Sequence, residues 1–354
     1  MKQSDNPYRA LPDRNFWRRC LSSKGPHEVD PVAETKFKIS RDMRVATAGS
    51  CFAQHIARVL SRSSFNYFVP EAGSDLTPVE RDRRGYGVFS ARFGNIYTVR
   101  QLLQLIDEAY GVRSPQHAPW LRPDNRLADP LRPSIEPDGF ANEAEFRESR
   151  ETHLEAVRRM IEQADVFVFT LGLTECWRSR RDGTVYSLVP GAVAGQYNPD
   201  EHEFYNFRTR EVIEDLAAAM KRLKERNHAL KAILTVSPVP LIATYENRHV
   251  LTSTTYSKSV LRAAAGEIAD SEDWVDYFPS YEIITGNFNQ GRYYEDDLRE
   301  VNSIGVGHAM RIFMKHYAVG SNGQSAPPRR AMRAGVDQDE VICDEEMLDT
   351  VKWD

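Results

Sequence analysis

Two rhythms of apolar residues alternate along the chain from about residue 43 onward. Short apolar-rich runs, Met43 to Ala48, which alternates towards apolar, and Val166 to Leu171, Ala232 to Val236 and Val275 to Phe278, read as strands. Between them the apolar positions recur every three or four residues, as in Phe52, Ile56, Val59 and Leu60, which predicts a helix with one buried stripe. Further helices are expected over about 98–110, 143–163, 208–226, 257–268 and 303–317, and a second short strand over Phe65 to Val69.

Strands that alternate with helices imply right-handed crossovers and a mostly parallel sheet, whose ligand site lies beyond the carboxyl ends of the strands. The expected fold class is therefore α/β. Each of the four apolar runs closes on small or polar residues: Gly49-Ser50, Gly172, Ser237-Pro238 and Pro279-Ser280. Those four ends are the expected floor of any site.

The segments without a rhythm divide the chain. Residues 1–40 are polar and aromatic with four prolines, and read as an arm packed on the body, with a short helix near Phe16-Trp17. The main α/β domain is expected over 41–317. Within it, 70–95 is a Gly/Arg-rich loop, and 113–141 is a proline-rich surface excursion with the character of a lid. Residues 318–354 carry Gly, Ser and Pro and then many acids; they read as a flexible tail standing apart from the site.

Composition narrows the function classes. With 41% hydrophobic and 27% charged residues the chain has the material for a large core, which excludes global disorder. A net charge of -5 without a basic run argues against a nucleic-acid partner. The four cysteines, Cys20, Cys51, Cys176 and Cys343, form no CxxC pair, and they fit reduced thiols in a cytoplasm. The start, Met-Lys-Gln-Ser-Asp-Asn-Pro-Tyr, lacks the apolar stretch of a signal peptide, and no segment approaches the roughly 20 apolar residues of a membrane span. No P-loop, Gly-x-Gly-x-x-Gly or metal-ligand spacing occurs, so neither cofactor nor metal is expected. Nothing in the sequence fixes an oligomeric state.

Gly49-Ser50-Cys51-Phe52-Ala53 resembles the signature of the GSCFA family. Later blocks, Gly94-Asn95-Ile96-Tyr97-Thr98, Thr170-Leu171-Gly172-Leu173-Thr174-Glu175, Ser237-Pro238-Val239-Pro240, Tyr256-Ser257-Lys258 and Tyr277-Phe278-Pro279-Ser280-Tyr281-Glu282, are similar to it in the same order. The resemblance implies a flavodoxin-like three-layer α/β/α fold of the SGNH/GDSL hydrolase type. It also implies ester hydrolysis or acyl transfer from a serine at the end of the first strand, on an acylated sugar or small metabolite. A non-catalytic carbohydrate- or metabolite-binding protein that retains such a pocket is the alternative.

On that reading Ser50 is the nucleophile, exposed at the strand-to-helix turn where amides of the helix start meet a developing oxyanion. Ser50 as a plain helix cap is the competing role. Cys51 is the alternative nucleophile, because a thiolate at a helix start is also activated; a packed, inert thiol is its other reading. Gly94, Asn95, Thr174 and Glu175 stand at the positions of the oxyanion and substrate-binding blocks, with Gly94 and Gly172 equally suited to plain turns. The acid–base element departs from the pattern: Asp297-Leu298-Arg299-Glu300 stands where Asp-x-x-His is expected. Asp297 with His308, on the last helix, is therefore the expected proton-handling pair, and a histidine satisfied in packing is the other reading of His308. His55 faces away from the catalytic edge, and Arg178, Arg180 and Arg181 are either an anion subsite or a solvated loop.

Overall fold

The computed structural model describes residues 6–63, 65–116, 118–319 and 343–348. Its elements run in chain order β1 (Arg44–Gly49), α1 (Ala53–Arg62), β2 (Asn66–Tyr67), α2 (Pro78–Arg83), α3 (Val99–Ala109), β3 (Trp120–Leu121), β4 (Leu127–Ala128), α4 (Glu143–Gln163) and β5 (Val166–Leu171). They continue with β6 (Glu175–Ser179), β7 (Val185–Tyr186), β8 (His202–Asn206), α5 (Thr209–Arg226), β9 (Lys231–Val236), α6 (Val250–Ser271), β10 (Val275–Tyr277), α7 (Ser280–Thr285) and α8 (Ser303–Tyr317).

Five strands form the central sheet in the order β10-β9-β5-β1-β2, with every pairing parallel. Because side chains alternate along a strand, each strand feeds two cores. Ala46, Ala48, Phe167, Phe169, Leu234 and Val236 face α3, α4, α5 and α6, packing on Leu102, Val157, Leu216 and Leu261. Val45, Val166, Val168 and Ile233 face the other way, onto Phe52, Ile56 of α1, Ile283 of α7 and Ile312 and Phe313 of α8. This is the expected α/β/α sandwich. It also explains the uninterrupted apolar runs: β5, buried on both faces, has no residue left to point at water.

Parallel pairing carries the strand ends to one edge. Gly49 lies opposite Thr170, and Leu171 opposite Val236; the amides of Ser50 and Ser237 continue the ladder by donating to Thr170 and Leu171 carbonyls at 3.1 and 2.8 Å.

Four features depart from the periodicity reading. The run Phe65 to Val69 contributes only the two-residue edge strand β2. The excursion at 113–141 carries the hairpin β3–β4, and is pinned inward by the buried Arg132–Asp129 pair at 2.7 Å, which Arg150 of α4 joins. Between β5 and α5, β6 pairs antiparallel with β7 and β8 as a separate small sheet. Its short strands mix charged and polar with aromatic residues, as in His202-Glu203-Phe204-Tyr205-Asn206, so they leave no long apolar run. Helix α6 also starts earlier than its apolar stripe, at Val250, where the His249 side chain accepts from the Leu251 amide at 3.1 Å and caps it.

The N-terminal arm lies against α8. The Asp30 carboxylate meets His316 at 2.8 Å, and the Ile39 amide donates to the Tyr317 carbonyl at 2.7 Å. No helix among the described residues is long and apolar enough to cross a membrane.

Candidate functional site

The turn after β1 is built by two glycines. Gly49 has φ +136°, and a Cβ there would run into the Thr170 backbone, so no other residue fits without strain. Gly172 at the end of β5 has an ordinary φ but no room: a Cβ would lie 2.9 Å from both the Ser50 Cβ and the Tyr97 carbonyl oxygen. The missing side chain at Gly172 is the space into which Ser50 fits. The block at 94–97 locks on from a third side, with the Ile96 amide on the Gly49 carbonyl (2.9 Å) and the Gly172 and Leu173 amides on the Tyr97 carbonyl (3.1 and 2.8 Å). Three sequence blocks far apart in the chain thus meet at one point.

Ser50 is 2% exposed, and its Oγ has no hydrogen-bond partner among the described residues. It does not cap α1, whose N-cap is Phe52 with no side-chain cap bond. A buried hydroxyl without a partner costs free energy of about 1–3 kcal/mol, and such a group calls for a functional reason. The hydroxyls of Tyr97 and Thr170 are likewise buried and without a hydrogen-bond partner among the described residues.

The residue that sequence reasoning missed is Lys258 of α6. Its side chain is 1% exposed, and Nζ donates to the Gly172 carbonyl at 2.7 Å. Burial pushes the amine down to about 8, against the Glu345 carboxylate and Cys51, which favour its charge. The Tyr256-Ser257-Lys258 block was visible in the sequence, and a lysine on a buried helical stripe is the signal that would have flagged it.

Arg299 was hidden inside the Asp297-to-Glu300 turn. Asp297 itself serves that turn, its Oδ1 accepting the Arg299 and Glu300 amides at 2.9 and 3.0 Å. Asp297 and Glu300 are exposed, whereas Arg299 is buried and forms ion pairs with Glu345 and Glu346, both at 3.2 Å.

His308 does not join this group. Its Nδ1 meets the Tyr293 hydroxyl at 2.8 Å and its Nε2 meets the Val29 carbonyl at 2.8 Å. The Val29 oxygen can only accept, so Nε2 carries the proton and Nδ1 accepts from Tyr293. Burial pushes the ring down to about 4. The expected hydrogen bond to Ser50 is absent, because the arm at Val29 and the Tyr293 ring engage both nitrogens. The His55 ring packs edge-on against Phe52.

Thr174 and Glu175 face the small sheet. The Thr174 hydroxyl donates to Asn206 Oδ1 at 2.7 Å, which removes it as an oxyanion donor, and Glu175 accepts from the Thr244 hydroxyl at 2.8 Å. Arg178 and Arg180 pair with Glu203 at 2.7 and 2.9 Å, and the Arg178 guanidinium lies 3.6 Å over the Tyr205 ring. Neither needs an anionic ligand.

Asn95 stays at the site, and its partner is unexpected. Its Nδ2 donates to Asp344 Oδ2 at 2.8 Å, its backbone amide reaches the same carboxylate, and the Ser134 hydroxyl donates to Oδ1 at 2.7 Å. Next to this, the Cys343 thiol hydrogen-bonds Cys51, which together with burial pushes the Cys343 thiol up. All four cysteines are unpaired thiols. The expectation that the tail stands apart from the site is therefore corrected for 343–348, which lie on it; residues 320–342 and 349–354 fall outside the described residues.

The GSCFA family model matches residues 44–313, which spans the sheet and all three blocks around Ser50. The chain belongs to the GSCFA family. Comparison with curated proteins returns no match. The match reaches from β1 to α8, so Ser50, Asn95, Gly172, Lys258 and Arg299 all lie within the GSCFA region, whereas the docked segment 343–348 lies beyond it. Among the described residues, no group of three or more His, Cys, Asp or Glu is placed to hold a metal ion.

Proposed function

We propose that this GSCFA protein is an SGNH-like serine esterase or acyltransferase acting on an acylated sugar or small metabolite in the cytoplasm. The observation that carries the reading is the buried, unpartnered Ser50 Oγ at the carboxyl end of β1, packed on the residue whose carbonyl holds Lys258. In the proposed cycle the neutral Lys258 amine takes the Ser50 proton as Oγ attacks the acyl carbonyl. The oxyanion that forms is met by the Asn95 amide and Nδ2, beside the Gly94 turn. Collapse expels the alkoxide, which recovers the proton from Lys258, and water or an acceptor hydroxyl then releases the acyl group by the reverse sequence.

Lysine replaces the histidine of the usual pattern for a physical reason. A lysine at its ordinary value is almost wholly protonated near neutrality, whereas one lowered to about 8 by burial holds a useful neutral fraction. A second reading, a binding protein without catalysis, is favoured by one observation: among the described residues no histidine hydrogen-bonds the Ser50 hydroxyl. Labelling with a fluorophosphonate separates the two. Stoichiometric modification of Ser50, lost in Ser50→Ala, supports the enzyme, and an unmodified Ser50 in a chain that binds its ligand supports the pocket.

A further inference from the structure

The donors around Ser50 are engaged by the chain itself. Asp344 is 5% and Glu345 7% exposed, burial that carboxylates accept only where hydrogen bonds and cations compensate. Here both are provided. Asp344 takes the Asn95 and Ser134 donors, and Glu345 takes Arg299, with Lys258 close enough to act on it electrostatically. Ser134 comes from the 113–141 excursion, Asn95 from the loop before α3, Lys258 from α6 and Arg299 from the turn before α8. Four separate elements converge on two acidic side chains within a six-residue segment, which is the form of a ligand subsite rather than of a surface contact.

We infer that Asn95, Ser134, Lys258 and Arg299 form a subsite for a carboxylate-bearing ligand, and that the segment Cys343–Leu348 fills it in cis as a tethered occupant. As a statement about substrate class this rests on the acyl-transfer reading; as a statement about occupancy it stands on the contacts alone. The Asn95 amide and Nδ2 offered to Asp344 are the donors proposed to meet the oxyanion, so the docked segment and a substrate compete for them. Cys51, only 4% exposed, is the neighbour that the Cys343 thiol meets at the same point. Displacing the segment opens the subsite and exposes the Cys51 thiol together.

The test uses the full-length chain. In Asp344→Asn/Glu345→Gln, with folding checked by circular dichroism and melting temperature, alkylation of Cys51 by N-ethylmaleimide, read by peptide mass spectrometry, is expected to accelerate at least roughly tenfold, a shift of about 1.4 kcal/mol in the covered-to-open balance. A fluorescently labelled Cys-Asp-Glu-Glu-Met-Leu peptide is expected to bind this variant and not the wild-type chain, and to lose binding when Arg299→Met is added. Arg299→Met alone serves as the second variant, freeing Cys51 in the same assay without touching the segment. N-acetylglutamate is then added to the bound peptide: competition assigns the subsite to a free carboxylate, and retained peptide assigns it to an acidic peptide. Equal Cys51 alkylation in wild type and both variants, with no peptide bound to any, overturns the inference. Exposure of Cys51 and peptide binding without fluorophosphonate labelling of Ser50 leaves the subsite standing and sinks the acyl-transfer reading instead.

Discussion

The Lys258 ammonium group donates a 2.7 Å hydrogen bond to the carbonyl of Gly172, the residue whose bare Cα makes room for the Ser50 side chain. One backbone unit thus holds a buried cation on its oxygen and the Ser50 Cβ against its Cα. Removal of the amine should stop the chemistry and leave the turn intact. Lys258→Met is expected to slow acylation of Ser50 by about 10²–10⁴, the range of a general base. The wild-type rate is expected to rise with pH through about 8 as the amine loses its proton. Glu345 favours the charged amine, so Glu345→Gln should move that inflection to lower pH. Stopped-flow rates on a p-nitrophenyl ester from pH 6 to 9 read both effects, and a pH-independent rate would remove Lys258 from the mechanism.

Gly172→Ala places a methyl group 2.9 Å from the Ser50 Cβ and the Tyr97 oxygen. The backbone on both sides is tied into the sheet and cannot give way freely, so a loss of roughly 1–3 kcal/mol is expected. The Ser50 hydroxyl should be displaced with it. Urea unfolding and fluorophosphonate labelling measure the two consequences, and a variant of wild-type stability and labelling rate would mean that the turn is looser than its contacts indicate.

The buried histidines should set the acid limit of the fold. Burial holds His308 and His153 down at about 4, with Arg132 adding to the effect at His153, which meets Glu71 at 2.8 Å. Well above pH 6.5 both rings are neutral folded or unfolded and contribute no pH dependence. As the pH falls from 6.5 towards 4, only the unfolded chain takes up these protons, so stability declines across that window by roughly 1–3 kcal/mol per ring. Urea midpoints at pH 7, 5.5 and 4.5 should fall in that order, and His308→Gln should flatten the decline while leaving Ser50 labelling unchanged. Loss of labelling in a folded His308→Gln chain would restore His308 to the catalytic site.

The strand ends were legible because burial on two faces leaves a signature no other element shares: Val166 to Leu171 is apolar at every position but Thr170 and stops at Gly172. The Ser50 turn was readable for the same reason, since a parallel sheet collects its strand ends on one edge. Lys258 was not, because a lysine's usual place is in water and only the packing of α6 on the Gly172 turn makes it internal. His308 misled, since its helix position is compatible with facing the sheet edge, and only the arm at Val29, 279 residues away, decides what it bonds. The Asp344–Asn95 contact, 249 residues apart, joins an acidic run to a loop with no periodic signal in either.

The central claim is that Ser50, not Cys51, takes up the acyl group. Cys51 is the rival because it is the next residue, and its thiol already contacts Cys343. Brief exposure of the wild-type chain and of Ser50→Ala and Cys51→Ala variants to p-nitrophenyl acetate, followed by acid quench and peptide mass spectrometry, reads the site directly. The account predicts one acetyl group on Ser50 in the wild type and in Cys51→Ala, and none in Ser50→Ala. Acetylation that survives in Ser50→Ala and disappears in Cys51→Ala would contradict it.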